Sequence, residues 1–284
     1  MPILGAHMSI AGGYYKAAEA AAGFGMDTVQ VFTKNNNQWR AKEITAVEAA
    51  LFEKALREGK LCHPLSHASY LINLASPDEL LWQKSLDGMA VELQRAEQLG
   101  IPYVVMHPGS FTTTSEEEGI ARVALALNGL HALLPEAKAE VLLEITAGQG
   151  SNLGWKFEHL ADIIAQVQLS DRIGVCFDTC HAFAAGYDLR DAKEAKAMWR
   201  QFDKLLGLER LKAIHLNDSK RELGSRVDRH EHIGHGQIGL EAFRHLLTDK
   251  RFRQIPMYLE TAKEEHEGEQ WDAINLRTLR SLVK

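Results

Sequence analysis

Residues 173–182 read IGVCFDTCHA, and the fold turns on how this stretch is read. Ile173–Phe177 is a short apolar run of the kind that forms a strand buried on both faces. It ends in Asp178, and His181 follows three residues later. A lone run of this type would carry little weight. The chain repeats the arrangement: apolar runs that finish in His, Asp or Glu recur along its length.

Downstream, Leu211–Leu216 reads as a seventh strand, followed by a long polar loop and a helix over Leu240–Thr248. Ile255–Glu260 is an eighth strand, and Gln270–Leu282 a final helix. Upstream, the strands are Ile3–Ser9, Thr28–Thr33, a weaker Leu61–His67 interrupted by Pro64, Tyr103–His107 and Glu140–Thr146. Between them lie helices over Tyr14–Gly23, Val47–Arg57, Glu79–Leu99, Glu116–Leu134 and Phe157–Val167, with another around Ala192–Leu206 after the sixth strand. Gly100 and Pro102 stop the third helix as a helix terminus should be stopped. Strands alternating with helices predict parallel βαβ units, here an α/β fold closed as a single (β/α)8 TIM barrel over residues 1–284. A doubly wound open sheet is the alternative, but GAHMSIAGG at 5–13 does not supply the GxGxxG of a dinucleotide site.

Composition agrees with a large core: 45% of the 284 residues are hydrophobic and 25% charged. Three cysteines without a CxxC pair argue against a disulfide framework and for a reducing compartment. The start, MPILGAHMSIAGGYYK, lacks a basic region followed by a long apolar core. No stretch approaches the roughly 18 apolar residues of a membrane span. A cytoplasmic protein with no membrane association is expected.

In a barrel of this kind chemistry sits at the C-terminal ends of the strands. Those ends offer His7, His67, His107, Glu144, Asp178 with His181, His215 and Glu260, and the loop after the seventh strand adds Asp228 and His230. Taken singly, a strand-end His is usually a hydrogen-bonded structural residue, and an Asp before a helix is usually a cap. Taken together they converge on one mouth, where several carboxylates would repel one another unless cations lay among them. The set predicts a metal site at the C-terminal face. Imidazole-rich ligation favours zinc or another late first-row metal over magnesium. Nine ligands besides His7 suit two or three ions, and paired ions are the usual apparatus for hydrolysing phosphodiesters. Cys176 and Cys180 flank Asp178 but read as small packing residues. His63, His131, His159, His232, His235, His245 and His266 read as structural or surface residues. The formal net charge of −6 does not decide the partner, because three bound divalent cations would cancel it at one place.

Longer blocks resemble a known family. HASYLINLA (67–75), MHPGS (106–110), LEITAGQGSNLG (143–154), GVCFDTCHAFAAGYD (174–188), IHLNDSK (214–220) and GSRVDRHEHIGHGQIG (224–239) are similar to the endonuclease IV family of DNA-repair enzymes, in chain order and over nearly the whole chain. The resemblance implies a (β/α)8 barrel with three Zn²⁺ ions that cuts double-stranded DNA 5′ to abasic sites. The products would be a 3′-hydroxyl and a 5′ deoxyribose phosphate, and blocked 3′ ends would also be trimmed. It implies that His67, His107 and Glu144 hold a first zinc, and that Glu144 bridges to a second completed by Asp178, His215 and Glu260. His181, Asp228 and His230 would hold the third, and His7 is not implicated. Glu144 with the cluster is the expected catalytic centre, and a monomer is expected. In the family, the pair matching Tyr70 and Leu71 enters the base stack. FTKNNNQWR at 32–40 is the other expected DNA loop, with Asn37 where an Arg wedge would stand and with Lys34 and Arg40 directed at phosphate. Two other classes remain open. A sugar isomerase or epimerase should have fewer His, more carboxylates and often a Lys near the metals. A non-catalytic DNA-binding relative should have lost ligands.

Overall fold

In the computed structural model, which describes residues 1–283, the short apolar runs form eight parallel strands: Ile3–His7, Thr28–Phe32, Leu65–His67, Tyr103–Met106, Glu140–Glu144, Ile173–Asp178, Leu211–His215 and Pro256–Leu259. They follow one another around a closed barrel in chain order. The last pairs back onto the first, with Ile3 opposite Pro256 and Ala6 opposite Leu259. Helices on the outside connect successive strands, as a parallel barrel requires. No helix among the described residues is long and apolar enough to cross a membrane.

Side chains alternate along a strand, so residues two apart share the barrel interior. Leu65, Val105, Leu142, Cys176, Ala213 and Tyr258 form one buried interior cluster. Two residues further along the same strands stand His67, His107, Glu144, Asp178, His215 and Glu260. The period of two thus turns six titratable side chains inward at the strand ends, above an apolar interior. Tyr258 belongs to that interior, its hydroxyl donating to His63 O at 2.6 Å.

The strands differ from the sequence expectation in their ends. The third begins at Leu65 rather than Leu61, because His63 turns with φ 51° and Pro64 has no N–H to donate. The first ends at His7 rather than Ser9. A helix over Thr179–Ala185, absent from the sequence reading, follows the sixth strand without a gap and stops at Gly186 with φ 113°. Asp178 caps it, Oδ1 accepting from the His181 amide at 2.8 Å.

The long loop after the seventh strand folds back as a small ribbon, Asp218–Ser219 antiparallel to His230–Glu231. The buried Asp218 carboxylate organises it, accepting from the amides of Ser219, Gly234, Gly236 and Ile238 at 2.8–3.1 Å. Position 236 has no room for a side chain, since a Cβ there would lie 2.5 Å from Asp218 Oδ1. This knot brings Asp228 and His230 over the barrel mouth.

Candidate metal centre

All nine expected ligands meet at the mouth. His67, His107 and Glu144 bring their ligand atoms within 4.8 Å of one another, as do Glu144, Asp178, His215 and Glu260, and again Asp178, His181 and His230. Asp228 joins the last group, Oδ2 3.2 Å from His181 Nε2 and Oδ1 3.3 Å from His230 Nε2. Glu144 and Asp178 each belong to two of these three groups. Both are fully buried, so neither carboxylate is a solvated surface charge. Asp178 is also the helix cap already described: one oxygen serves the helix and the other faces the cluster.

Four of the five ligand histidines are held by their outer nitrogens. His67 Nδ1 donates to Ala68 O at 2.7 Å, His181 Nδ1 to Ile145 O at 2.9 Å and His230 Nδ1 to Glu260 O at 3.2 Å. His215 is turned the other way, Nε2 donating to Gln30 Oε1 at 2.8 Å. Carbonyl oxygens only accept, so in the neutral ring each contact assigns the proton to the outer nitrogen. The inner nitrogen is then a lone pair. His67 Nε2 and His107 Nε2 both point at Glu144 Oε2 at 3.1 Å, and His215 Nδ1 lies 2.8 Å from Glu144 Oε1 and 3.1 Å from Glu260 Oε2. Lone pairs aimed at carboxylates repel unless a proton or a cation lies between them. His230 Nε2 is buried without any hydrogen-bond partner. A nitrogen left in this state is what a metal ligand requires, and outer-nitrogen hydrogen bonds are how ligating histidines are oriented.

The electrostatics point the same way. Burial alone would raise the Glu144 carboxyl, but His215, His107 and His181 hold it well below the ordinary carboxylate range. Burial alone would raise Glu260 too, yet it is lowered to about 2, chiefly by His215. Burial pulls His181 down, while Asp178, Asp228 and Glu144 hold it well above its ordinary value. The centre therefore demands positive charge, and the donor set of five imidazoles and four carboxylates fits borderline divalent ions. Cys176 Sγ comes within 4.8 Å of ligand atoms of Glu144 and His215, and Cys180 Sγ of those of Asp228 and His230. Burial pushes both thiols up to about 12, so neither offers a thiolate.

Two supporting residues, Gln30 and Asn217, escaped the sequence reading. Gln30 is buried on the second strand, and besides accepting from His215 it donates to Glu260 Oε1 at 2.5 Å. Its Nε2 lies 2.9 Å from His7 Nδ1, which places His7 behind the cluster, as a neighbour of Gln30 rather than among the ligand groups. Asn217 donates to Asp178 Oδ2 at 2.7 Å and accepts from the Glu260 amide at 2.9 Å, tying two ligands from different strands. The one available sign of Gln30 was an amide in the middle of the apolar strand TVQVF.

Of the expected DNA-contact residues, Tyr70 is 58% exposed beside the cluster, its ring 5.3 Å from that of His67 and 6.0 Å from that of His107. Leu71 follows it, half-buried, and Asn37 and Arg40 are exposed on the loop after the second strand. Lys34 needs correction. Its ammonium does not face solvent but lies buried 3.3 Å from Glu92 Oε1 and donates to Gln38 O at 2.8 Å. The stem turns beneath its own loop, and the charge is used inside the protein.

A family model described as a xylose isomerase-like TIM barrel matches residues 18–282. Over all 284 residues the chain is 50% identical to a protein of Chloroflexus aggregans named "Probable endonuclease 4", covering 99% of it. It is 48% identical to one of the same name from Citrifermentans bemidjiense, covering 100% of each. Among solved structures, endonuclease IV from Thermus thermophilus superposes with a TM-score of 0.87 at 36% identity over 99% of each chain. A D-tagatose 3-epimerase-like protein superposes at 0.73 with 17% identity, over 98% of this chain and 97% of that one, a likeness of fold alone.

Proposed function

The chain belongs to the endonuclease IV family and is a phosphodiester hydrolase of the deoxyribonuclease IV type; we propose that it incises duplex DNA on the 5′ side of abasic sites with three zinc ions, in base excision repair. The observation that carries this reading is the set of inner histidine nitrogens aimed at shared carboxylates. His67, His107 and Glu144 would hold one ion, Glu144, Asp178, His215 and Glu260 a second, and His181, Asp228 and His230 a third. Zinc bound there supplies Lewis-acid charge for the phosphate oxygens and lowers the pKa of water towards neutrality.

The chain's own residues do the positioning. Gln30 fixes the ring of His215 and one oxygen of Glu260, and Asn217 fixes Asp178 against the Glu260 backbone. The apolar layer below keeps water from entering through the barrel. Tyr70 and Leu71, beside the first ligand group, are the proposed wedge where a base is missing. Stacking is already lost there, so inserting a side chain costs least. Arg40 is the remaining candidate for a phosphate contact, and Asn37 fills less of the gap than an Arg would. A monomer acting on DNA, with blocked 3′ ends as a second substrate, completes the proposal.

The donor set separates this reading from sugar isomerisation, for which fewer imidazoles would be expected. The test is a labelled duplex with a single abasic site. Incision should leave a 3′-hydroxyl that a polymerase extends, and borohydride should trap no enzyme–DNA adduct, because no protein nucleophile is needed. A trapped lysine adduct, or a 3′ end that cannot be extended, would sink the proposal.

A further inference from the structure

The loops after the second and third strands meet over one buried carboxylate. Glu92, in the helix Glu79–Leu99, is 1% exposed. A position on the inner face of an amphipathic helix is ordinarily apolar. Its Oε2 accepts from Thr33 Oγ1 at 2.7 Å, and its Oε1 accepts from the Ser69 amide at 3.2 Å. Lys34 pairs with the same Oε1 and donates to Gln38 O. Ser69 closes the circuit, its hydroxyl donating to Asn36 O at 2.6 Å. Arg95, one turn on, donates to Thr33 O at 2.6 Å and to Lys42 O at 2.7 Å.

A buried ion pair is weak as a source of net stability, because desolvation offsets the attraction. What this one contributes is geometry: one carboxylate joins the residue before Tyr70 to the segment Asn35–Gln38. We infer that Glu92 is a positioning residue for DNA recognition, setting the spacing of these two loops before DNA arrives. It touches no DNA and acts through Ser69 and Lys34. The inference rests on the proposed role of Tyr70 and Leu71. Binding to a preset edge avoids the ordering cost that loose loops would incur in the complex.

The test uses Glu92→Leu and the double variant Lys34→Met/Glu92→Leu. Leu has a similar volume and offers neither the Thr33 hydroxyl nor the Ser69 amide an acceptor, so both links are lost. The double variant also removes the ammonium that the single one leaves unpaired. Single-turnover incision of an abasic duplex gives the half-saturating DNA concentration and the saturated rate separately. Glu92→Leu should lower Tm and raise half-saturation about tenfold, with the saturated rate and zinc content unchanged. In the double variant Tm should recover towards the parent while half-saturation stays high. Half-saturation that recovers with Tm, or never rises, overturns the inference. Tyr70→Ala/Leu71→Ala is measured alongside. If it binds like the parent, the reading beneath the inference fails. If it binds weakly while the Glu92 variants do not, the inference alone fails.

Discussion

Replacing Gln30 by Leu tests whether the metal centre is held by its supporting layer. Gln30 is fully buried, so no water stands ready to replace its contacts. Leu removes the acceptor for His215 Nε2, 2.8 Å away, and the donor to Glu260 Oε1, 2.5 Å away. A hydrogen bond to a carboxylate contributes about 1.5–3 kcal/mol and one between neutral groups about 1 kcal/mol. The two share one side chain and will not add fully, so about 2–3 kcal/mol is expected. At about 1.4 kcal/mol per decade, that is a loss of about 30- to 150-fold in affinity, overlapping the 10- to 100-fold typical of residues that orient ligands. The loss should fall on one ion, the one assigned to Glu144, Asp178, His215 and Glu260. Competition against a chelator, read by zinc retained per chain, measures it. Gln30→Leu should give up one ion at chelator concentrations that leave the parent intact. Retention of all metal at parental chelator concentrations would refute the reasoning.

Further outcomes follow from other residues. Glu144→Ala should lose two ions and His230→Ala one, counted by elemental analysis, because Glu144 belongs to two ligand groups. Asp218→Ala strips the acceptor from five loop amides. It should destabilise the fold by about 3 kcal/mol in thermal unfolding and release the ion assigned to Asp228 and His230. Burial, and then the charge of Arg172, lower His131 from 6.5 to about 4. The unfolded chain therefore takes up this proton first as pH falls. Stability due to His131 is lost from pH 6.5 down to about 4 and levels off below. His131→Gln should flatten that limb by about 2–3 kcal/mol in denaturant titrations, and an unchanged limb would refute it.

The cluster was legible because strand period and ligand chemistry coincide. His67, His107, Glu144, Asp178, His215 and Glu260 each stand two residues after an inward apolar residue, so a list of strand ends is also a list of side chains turned into the barrel mouth. Gln30 was not legible, since its partners lie 185 and 230 residues away and nothing local marks them. Asn217 escaped for the same reason, acting between two strand ends. Lys34 was placed wrongly because a lysine after a strand reads as a surface charge. Which side of its loop it takes is decided by Glu92, from another helix. The helix Thr179–Ala185 is too short at seven residues to show periodicity, and its cap had already been counted as a ligand.

The most direct measurement is a zinc titration of metal-stripped protein, with incision of an abasic duplex followed against zinc bound per chain. A trinuclear hydrolase predicts little activity until binding approaches three ions, and full activity then without added magnesium. Full activity in the metal-free protein, saturation at a single ion, or restoration by magnesium alone would contradict it.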